Sequence, residues 1–234
     1  MGTLYIVSTP IGNLKDITLR AIETLGQVNY VLCEDTRITD RLLKHYNISK
    51  RMVSFGEFSE EYKSKKVLKD LKEGDDIALV SDAGTPLISD PGFKLVREAT
   101  KNNVRIESIP GPSAAIAALV ISGLPPDKFL FLGYLSKKES KRREILKRLS
   151  EISKLMSLTI VLYESPYRLI KTVNDLKEIF GDIEIVICRE LTKFHEEVRR
   201  EKISGSIAHF SKITPKGEFT LLFHSPENSE KPRN

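Results

Sequence analysis

Short β-rich runs recur along the first half of the chain, at Leu4–Ser8, Tyr30–Cys33, Met52–Phe55, Ile77–Ser81 and Arg105–Ile109. Between them apolar positions return every three to four residues, the spacing of a helix with one buried face. Strand and helix in alternation predict an α/β domain built on a parallel sheet. Three helix starts are legible. Asp16 is expected to cap a helix through Leu19, Ile22 and Leu25, and Asp90-Pro91 supplies an N-cap and a first-turn proline. Ser113-Ala114-Ala115-Ile116 opens a third helix that Gly123 ends.

After Leu124-Pro125-Pro126-Asp127 the alternation restarts. Strands are expected at Phe129–Gly133, Leu158–Tyr163, Glu184–Cys188 and Phe219–Phe223, with helices near Glu139–Lys154 and Pro166–Phe180. The proline pair reads as a stiff connector, so the chain is expected to form an N-terminal α/β domain over 1–122, a C-terminal α/β domain over 123–225 and a flexible polar tail over 226–234. Two such domains would face each other across a fixed cleft, the usual place for a ligand.

Composition narrows the class without naming it. A chain of 234 residues with 40% hydrophobic and 29% charged residues is neither disordered nor fibrous. No apolar run approaches the ~20 residues that cross a bilayer, and no signal-like start is present, which predicts a cytoplasmic protein. Cys33 and Cys188 each close an apolar run and read as buried thiols. The net charge of +5 is concentrated. Ser136–Lys154 holds eight Lys and Arg against three Glu, a local excess equal to that of the whole chain. Such a segment suits either a polyanion contact or a solvated helix face.

Several common chemistries are excluded by spacing. No two of the 13 glycines are separated by a single residue, so the G-x-G turn of a dinucleotide fold is missing. Neither G-x-x-x-x-G-K-[ST] nor G-x-S-x-G occurs. His45, His195, His209 and His224 are too scattered for a metal signature, so no metal is expected.

Polar and small residues gather instead after the apolar runs, where ligands meet α/β sheets. These loops are Ser8–Asn13, Glu34–Arg37, Ser54–Glu57, Ser81–Gly92, Pro110–Ala114 and Tyr163–Pro166. Within them stand Thr9-Pro10-Ile11-Gly12-Asn13-Leu14, Glu34-Asp35-Thr36-Arg37, Leu79-Val80-Ser81-Asp82-Ala83-Gly84-Thr85-Pro86, Ile109-Pro110-Gly111-Pro112-Ser113-Ala114 and Tyr163-Glu164-Ser165-Pro166, followed by Arg189-Glu190-Leu191-Thr192-Lys193. In this order the six stretches resemble the ribosomal RNA small subunit methyltransferase I family, and the resemblance runs from Gly2 to Glu218. One departure falls at Ser54-Phe55-Gly56-Glu57-Phe58, where many members carry a histidine and this chain has none. Ser81-Asp82-Ala83-Gly84, where tetrapyrrole enzymes would show G-D-P, favours RNA over a corrin or porphyrin.

The resemblance implies a two-domain tetrapyrrole-methylase fold, S-adenosylmethionine in the interdomain cleft, a homodimer and 2′-O-methylation of a cytidine in 16S ribosomal RNA, within the small ribosomal subunit. Carried over by motif, Pro10, Asp82, Ile88, Ser113, Ala114, Leu191, Thr192 and Gly217 would line the donor pocket. Transfer to a ribose hydroxyl needs alignment and a proton acceptor. Glu34, Asp35, Glu164, Glu190 and Lys193 stand at strand ends as candidate bases, with Asp35 preferred and Glu164 second. Arg37, Arg168, Lys193 and Lys216, with Lys141, Arg142 and Arg143 of the basic segment, would hold RNA phosphates, and Tyr163, Phe55 or Tyr167 would stack on a base. Two other readings compete: a methyltransferase of a small tetrapyrrole, and a non-catalytic RNA-binding module that uses the basic helix alone.

Overall fold

The computed structural model describes residues 1–57 and 59–225. The expected tail lies outside them. The chain divides into two compact units, Met1–Ser113 and a second that begins at Ala114.

The first unit alternates strand and helix throughout: β1 (Thr3–Val7), α1 (Leu19–Gln27), β2 (Tyr30–Cys33), α2 (Thr36–His45), β3 (Arg51–Ser54), α3 (Glu60–Glu73), β4 (Ile77–Leu79), α4 (Phe93–Lys101) and β5 (Arg105–Ile109). The strands form one parallel sheet in the order β3-β2-β4-β1-β5. Helices cover both faces, which is why Tyr30–Cys33 is apolar without interruption. Val31 and Cys33 point into a core shared with Leu25, Leu42 and Leu43. Tyr30 and Leu32 point the other way, toward Val67, Leu71, Leu95 and Ala99.

Two expected helix starts are corrected. Thr18, not Asp16, caps α1, its hydroxyl accepting from the Ala21 amide at 3.1 Å, while Asp16 ends a short 3-10 turn over Leu14–Asp16. Helix α4 begins at Phe93 behind Gly92, whose φ of +129° no L side chain adopts comfortably. Its amides are capped from a distance by Glu60, whose carboxylate accepts from Gly92, Lys94 and Leu95.

The second unit comprises α5 (Ala114–Ser122), β6 (Phe129–Tyr134), α6 (Glu139–Ser153), β7 (Leu158–Glu164), α7 (Leu169–Phe180), β8 (Glu184–Arg189), β9 (Glu197–Lys202), α8 (Ile203–Phe210) and β10 (Phe219–Ser225). Its sheet runs β6-β7-β10-β8-β9 and is mixed, with β6 and β7 parallel and the remaining pairs antiparallel. Leu146, Leu149, Val173, Leu176, Ile203 and Phe210 bury one face of it. Helix α5 packs on β7 and β10 through Ala115, Ala118, Leu119 and Ser122.

That packing moves the boundary. The units part between Ser113 and Ala114, where a break after Ser122 was expected, because α5 belongs with the second sheet. Pro125-Pro126 is therefore not the connector; it lies inside the second unit, where the Pro125 carbonyl accepts from the Thr159 hydroxyl at 2.7 Å. Helix α7 begins at Leu169, three residues after Pro166, because the Ser165 carbonyl first closes a turn onto the Arg168 and Leu169 amides. Strand β9 has no counterpart in the apolar pattern. Its sequence, Glu-Val-Arg-Arg-Glu-Lys, is that of a charged edge strand paired on one side only.

Candidate functional site

Because β1 to β5 are parallel, the loops after their carboxyl ends share one edge of the first sheet. Hydrogen bonds tie these loops together. The Thr9 amide donates to the Gly84 carbonyl at 2.8 Å and the Gly84 amide returns to Thr9 at 3.1 Å. The Ser8 hydroxyl donates to Thr85 Oγ1, and the Thr85 hydroxyl donates to the Pro112 carbonyl, both at 3.1 Å. Gly111 permits the approach, since a Cβ there would lie 2.9 Å from that of Ser8. Pro10, Asp82, Ile88 and Ser113 are thus carried on loops of one edge. The loop over 81–92 is also strained: Leu87 and Ser89 hold φ of +71° and +68°, a region bulky residues avoid. Such strain persists where the surroundings enforce it, commonly at ligand sites.

Asp82 links this group to the loop after β2 by accepting the Asp35 amide at 3.0 Å. Burial, then the nearby Asp35 charge, raises the Asp82 carboxyl above its ordinary range, against the lowering effect of that amide. Asp35 itself is engaged: its carboxylate accepts from the Arg37 amide at 2.8 Å and grips the guanidinium at 2.6 Å. Those bonds hold its pKa down at about 2, so it is a poor proton acceptor. Arg37 spends its fork on the same carboxylate while remaining exposed to solvent.

Glu34 differs from its neighbour. Its carboxylate has no hydrogen bond or ion pair among the described residues, and although the residue is exposed, partial desolvation, followed by the charges of Asp82, Asp35 and Glu57, raises its pKa. Glu57 follows β3 and Asp82 follows β4, the two strands that flank β2.

In the second unit Leu191, Thr192 and Gly217 gather on the loops after β8 and before β10. The Glu190 amide donates to the Glu218 carbonyl at 2.9 Å, and the Glu190 carboxylate accepts the Glu218 amide at 2.9 Å. A Cβ at Gly217, φ +93°, would sit 2.5 Å from Glu190 Cγ, so glycine is required for that closure. Glu190 and Thr192 also adopt positive φ, at +50° and +64°. Ala114 starts α5, and the next amide, Ala115, donates to the Tyr163 hydroxyl at 3.2 Å.

The remaining expected site residues separate sharply. Glu164 is 1% exposed and fully occupied: it accepts from the Ser165 amide, the Thr172 hydroxyl and Arg168, the last at 2.7 Å. It braces a turn and has no room to act as base. Arg168 is committed to Glu164 and to the Leu135 carbonyl. Glu190 and Lys193 pair at 2.9 Å, and Lys193 also reaches Glu218 at 2.9 Å. Burial lowers the Lys193 pKa, yet the hydrogen bonds to Glu218 and Glu190 outweigh it and hold the lysine charged.

Arg142 does not face solvent. Only 3% exposed, it donates from Nε to Asp175 at 2.6 Å inside the packed face of α6. Arg143 is shared among Asp175, Glu139 and Glu178. Arg148 and Lys154 pair with Glu144 and Glu151. Of the eight cations in 136–154, Lys137, Lys138, Lys141 and Lys147 carry no ion pair among the described residues. Phe55 is buried in the first core, which removes it as a stacking residue, while Tyr167 is almost fully exposed. Lys216 is exposed, with its carbonyl accepting from Arg189 Nε. Both cysteines are buried and free, and burial raises each thiol, Cys188 to about 12.

A model of the family described as Tetrapyrrole (Corrin/Porphyrin) Methylases matches residues 3–205, and the chain belongs to that family. The solved structure of a diphthine synthase shares its fold, with a TM-score of 0.72 at 18% identity, over 94% of this chain and 89% of that one. Within the family, the chain is 47% identical to Ribosomal RNA small subunit methyltransferase I of Thermotoga maritima over 97% of its own length and 100% of the relative's. It is 45% identical to the protein of that name from Halalkalibacterium halodurans, over 98% of this chain and 78% of the relative. The protein of that name from Mycoplasmopsis pulmonis is 47% identical over 95% and 98%. Among the described residues no helix is long and apolar enough to cross a membrane.

Proposed function

We propose that the chain transfers a methyl group from S-adenosylmethionine to the 2′-hydroxyl of a cytidine in 16S ribosomal RNA, working as a cytoplasmic homodimer on the small ribosomal subunit. The observation that carries this reading is the near full-length identity to relatives named for methyl transfer to small-subunit ribosomal RNA. When bound, the donor supplies an electrophilic methyl on a cationic sulfonium. The residues suit such a cation. On the first unit's loops Asp82 places a carboxylate, Ser113 a hydroxyl and Ile88 exposed apolar surface; on the second unit's own loops Thr192 adds a hydroxyl and Ala114 is half-buried, while Pro10 and Leu191 are buried. Strained loops and Gly217 expose backbone groups that side chains would otherwise cover.

Glu34 takes the hydroxyl proton in this mechanism. Asp35, Glu164 and Glu190 are each held by cations or backbone amides, and Lys193 is held charged, whereas Glu34 is unpaired among the described residues and prefers a proton more than an ordinary carboxylate does. A positioned base contributes ~10²–10⁴-fold, and most efficiently when its pKa approaches the working pH. Asp35 and Asp82 act as positioning groups: the 3.0 Å bond between the Asp35 amide and Asp82 fixes the backbone that carries Glu34. Lys141 of α6 and Lys216 meet phosphate as point charges, and Arg37 adds a guanidinium when Asp35 yields it.

The test is incubation with methyl-labelled S-adenosylmethionine and small subunits lacking their native modifications, followed by nucleoside analysis. Label in 2′-O-methylcytidine is expected. Donor binding without transfer to RNA would overturn the reading and direct attention to tetrapyrrole acceptors.

A further inference from the structure

The second unit carries a row of solvent-facing aromatic side chains at one edge of its sheet. Strands β6, β7 and β8 run in the same direction, since β6 is parallel to β7 and β10 is antiparallel to both β7 and β8. Their carboxyl ends therefore share an edge with the start of β10. Tyr134 ends β6, Tyr167 lies in the turn after β7 and Phe194 in the loop after β8. Their exposures are 54%, 92% and 97%. A break in the β6–β7 register between Phe131 and Tyr134, with Gly133 at φ +60°, turns Tyr134 off the regular pleat. Neighbouring strands lie ~4.8 Å apart, so the roots of the three loops span ~15 Å of the sheet edge.

Isolated exposed apolar residues need no explanation, but three large aromatics on one edge do. The charges around them identify the partner. Every carboxylate on these loops is occupied: Glu164 by Arg168, Glu190 and Glu218 by Lys193, and Glu196 by the Thr192 amide. Among the described residues Lys171 and Lys216 are exposed and carry no ion pair, and the Arg168 guanidinium lies 5.9 Å from the Tyr134 ring centroid. Aromatic faces interleaved with unspent cations are the chemistry of single-stranded nucleic acid, whose bases stack and whose phosphates need countercharge.

We propose that this edge is a stacking platform for unpaired RNA, with Phe194 and Tyr167 each receiving a base and Lys171 and Lys216 facing the backbone. The proposal rests on the reading that the chain acts on RNA and names where unpaired nucleotides lie.

The experiment measures anisotropy of a short labelled single-stranded oligoribonucleotide against the wild-type chain and the Phe194→Ala, Phe194→Leu, Phe194→Trp, Tyr167→Ala and Lys216→Ala variants. Phe194→Ala and Tyr167→Ala are expected to weaken binding by ~5–150-fold each, the range for loss of one stacked base. Leucine should fail to restore the Phe194 site and tryptophan should restore it. Lys216→Ala should flatten the salt dependence, which the aromatic variants leave intact. Wild-type affinity in both alanine variants would overturn the proposal. So would unchanged affinity with a shift to a smaller oligomer in sedimentation, which would make the edge an interface between copies. Donor affinity and methyl transfer to subunits are measured beside it. A wild-type chain that binds RNA through Phe194 yet transfers no methyl would sustain the platform and defeat the proposed activity. Efficient transfer with unaffected aromatic variants would do the reverse.

Discussion

Arg142→Met tests whether Arg142, expected from the sequence to meet RNA phosphate, is instead a buried structural cation. Arg142 and Asp175 expose 4% and 6% of their side chains and meet at 2.6 Å, so the change strips a buried carboxylate of its main partner. Removing one member of a buried pair costs ~3–5 kcal/mol. Asp175 keeps Arg143 Nη1 at 3.1 Å, which places the loss near the lower end, about 3 kcal/mol. At ~2–4 °C per kcal/mol for a chain of this size, the melting temperature should fall by about 6–12 °C. RNA binding measured well below that temperature should keep both its affinity and its salt slope, because no phosphate contact has been removed. Lys141→Ala should behave oppositely, with stability within about 0.5 kcal/mol of wild type and a salt slope reduced by about 0.7 for the lost contact. Adding Asp175→Leu to Arg142→Met should recover most of the stability, since an apolar pair can replace a buried ionic one. Differential scanning fluorimetry and salt-titrated anisotropy read both quantities. An Arg142→Met protein that melts with the wild type while its salt slope falls would refute the buried-pair argument and return Arg142 to the RNA.

Glu34→Gln should lower methyl transfer by ~10²–10⁴-fold with donor affinity unchanged by calorimetry; Asp35→Asn, which loosens the loop but spares the base, should cost less. The carboxylate form of Glu34 is the active one, so activity should rise as pH passes upward through its raised pKa. Glu57→Gln removes a like charge and should shift that acid limb of kcat/KM to lower pH. Gly217→Ala forces a Cβ against Glu190 at positive φ, should cost ~1–3 kcal/mol, and should weaken S-adenosylmethionine binding in calorimetry. Glu60→Ala leaves the Gly92, Lys94 and Leu95 amides without their acceptor and should cost ~1–3 kcal/mol, with faster amide exchange confined to the start of α4.

The first unit was the more legible because its signals are local and repeated. The inner strand Tyr30–Cys33, buried on both faces, is a continuous apolar run whose bounds the sequence shows, whereas the edge strand Arg105–Ile109 is part polar and part exposed and is marked by its β-rich alternation instead. Caps set by partners close in sequence were misread by a residue or two, as with Thr18 for Asp16. The Glu60 cap was invisible, because its partners lie more than thirty residues away and only the fold brings them together. The second unit hid more. Strand β9 satisfies its charged side chains with cross-strand and adjacent partners, Arg199 to Glu197 and Glu201 among them, and so carries no apolar alternation. Helix α5 is apolar nearly all round, which marked it as a helix without saying which sheet it covers.

The same division runs through the candidate site. Motif order brought together Pro10, Asp82, Ile88 and Ser113 on one sheet edge and Leu191, Thr192 and Gly217 on another, because loops after strands converge whenever the sheet topology is right. Charge bookkeeping did not follow from order. Asp35, Glu164 and Arg142 are of the right residue type for catalysis or phosphate binding, but each is already bonded: to Arg37, to Arg168 with Thr172, and to Asp175. Whether a charged side chain is free to work depends on partners two to more than thirty residues distant in sequence. A base must be unpaired before it can accept a proton, and among the five strand-end candidates that condition singles out Glu34. Its pKa is raised first by partial desolvation and then by the charges of Asp82, Asp35 and Glu57, which the parallel sheet brings near by setting the ends of β3, β2 and β4 side by side.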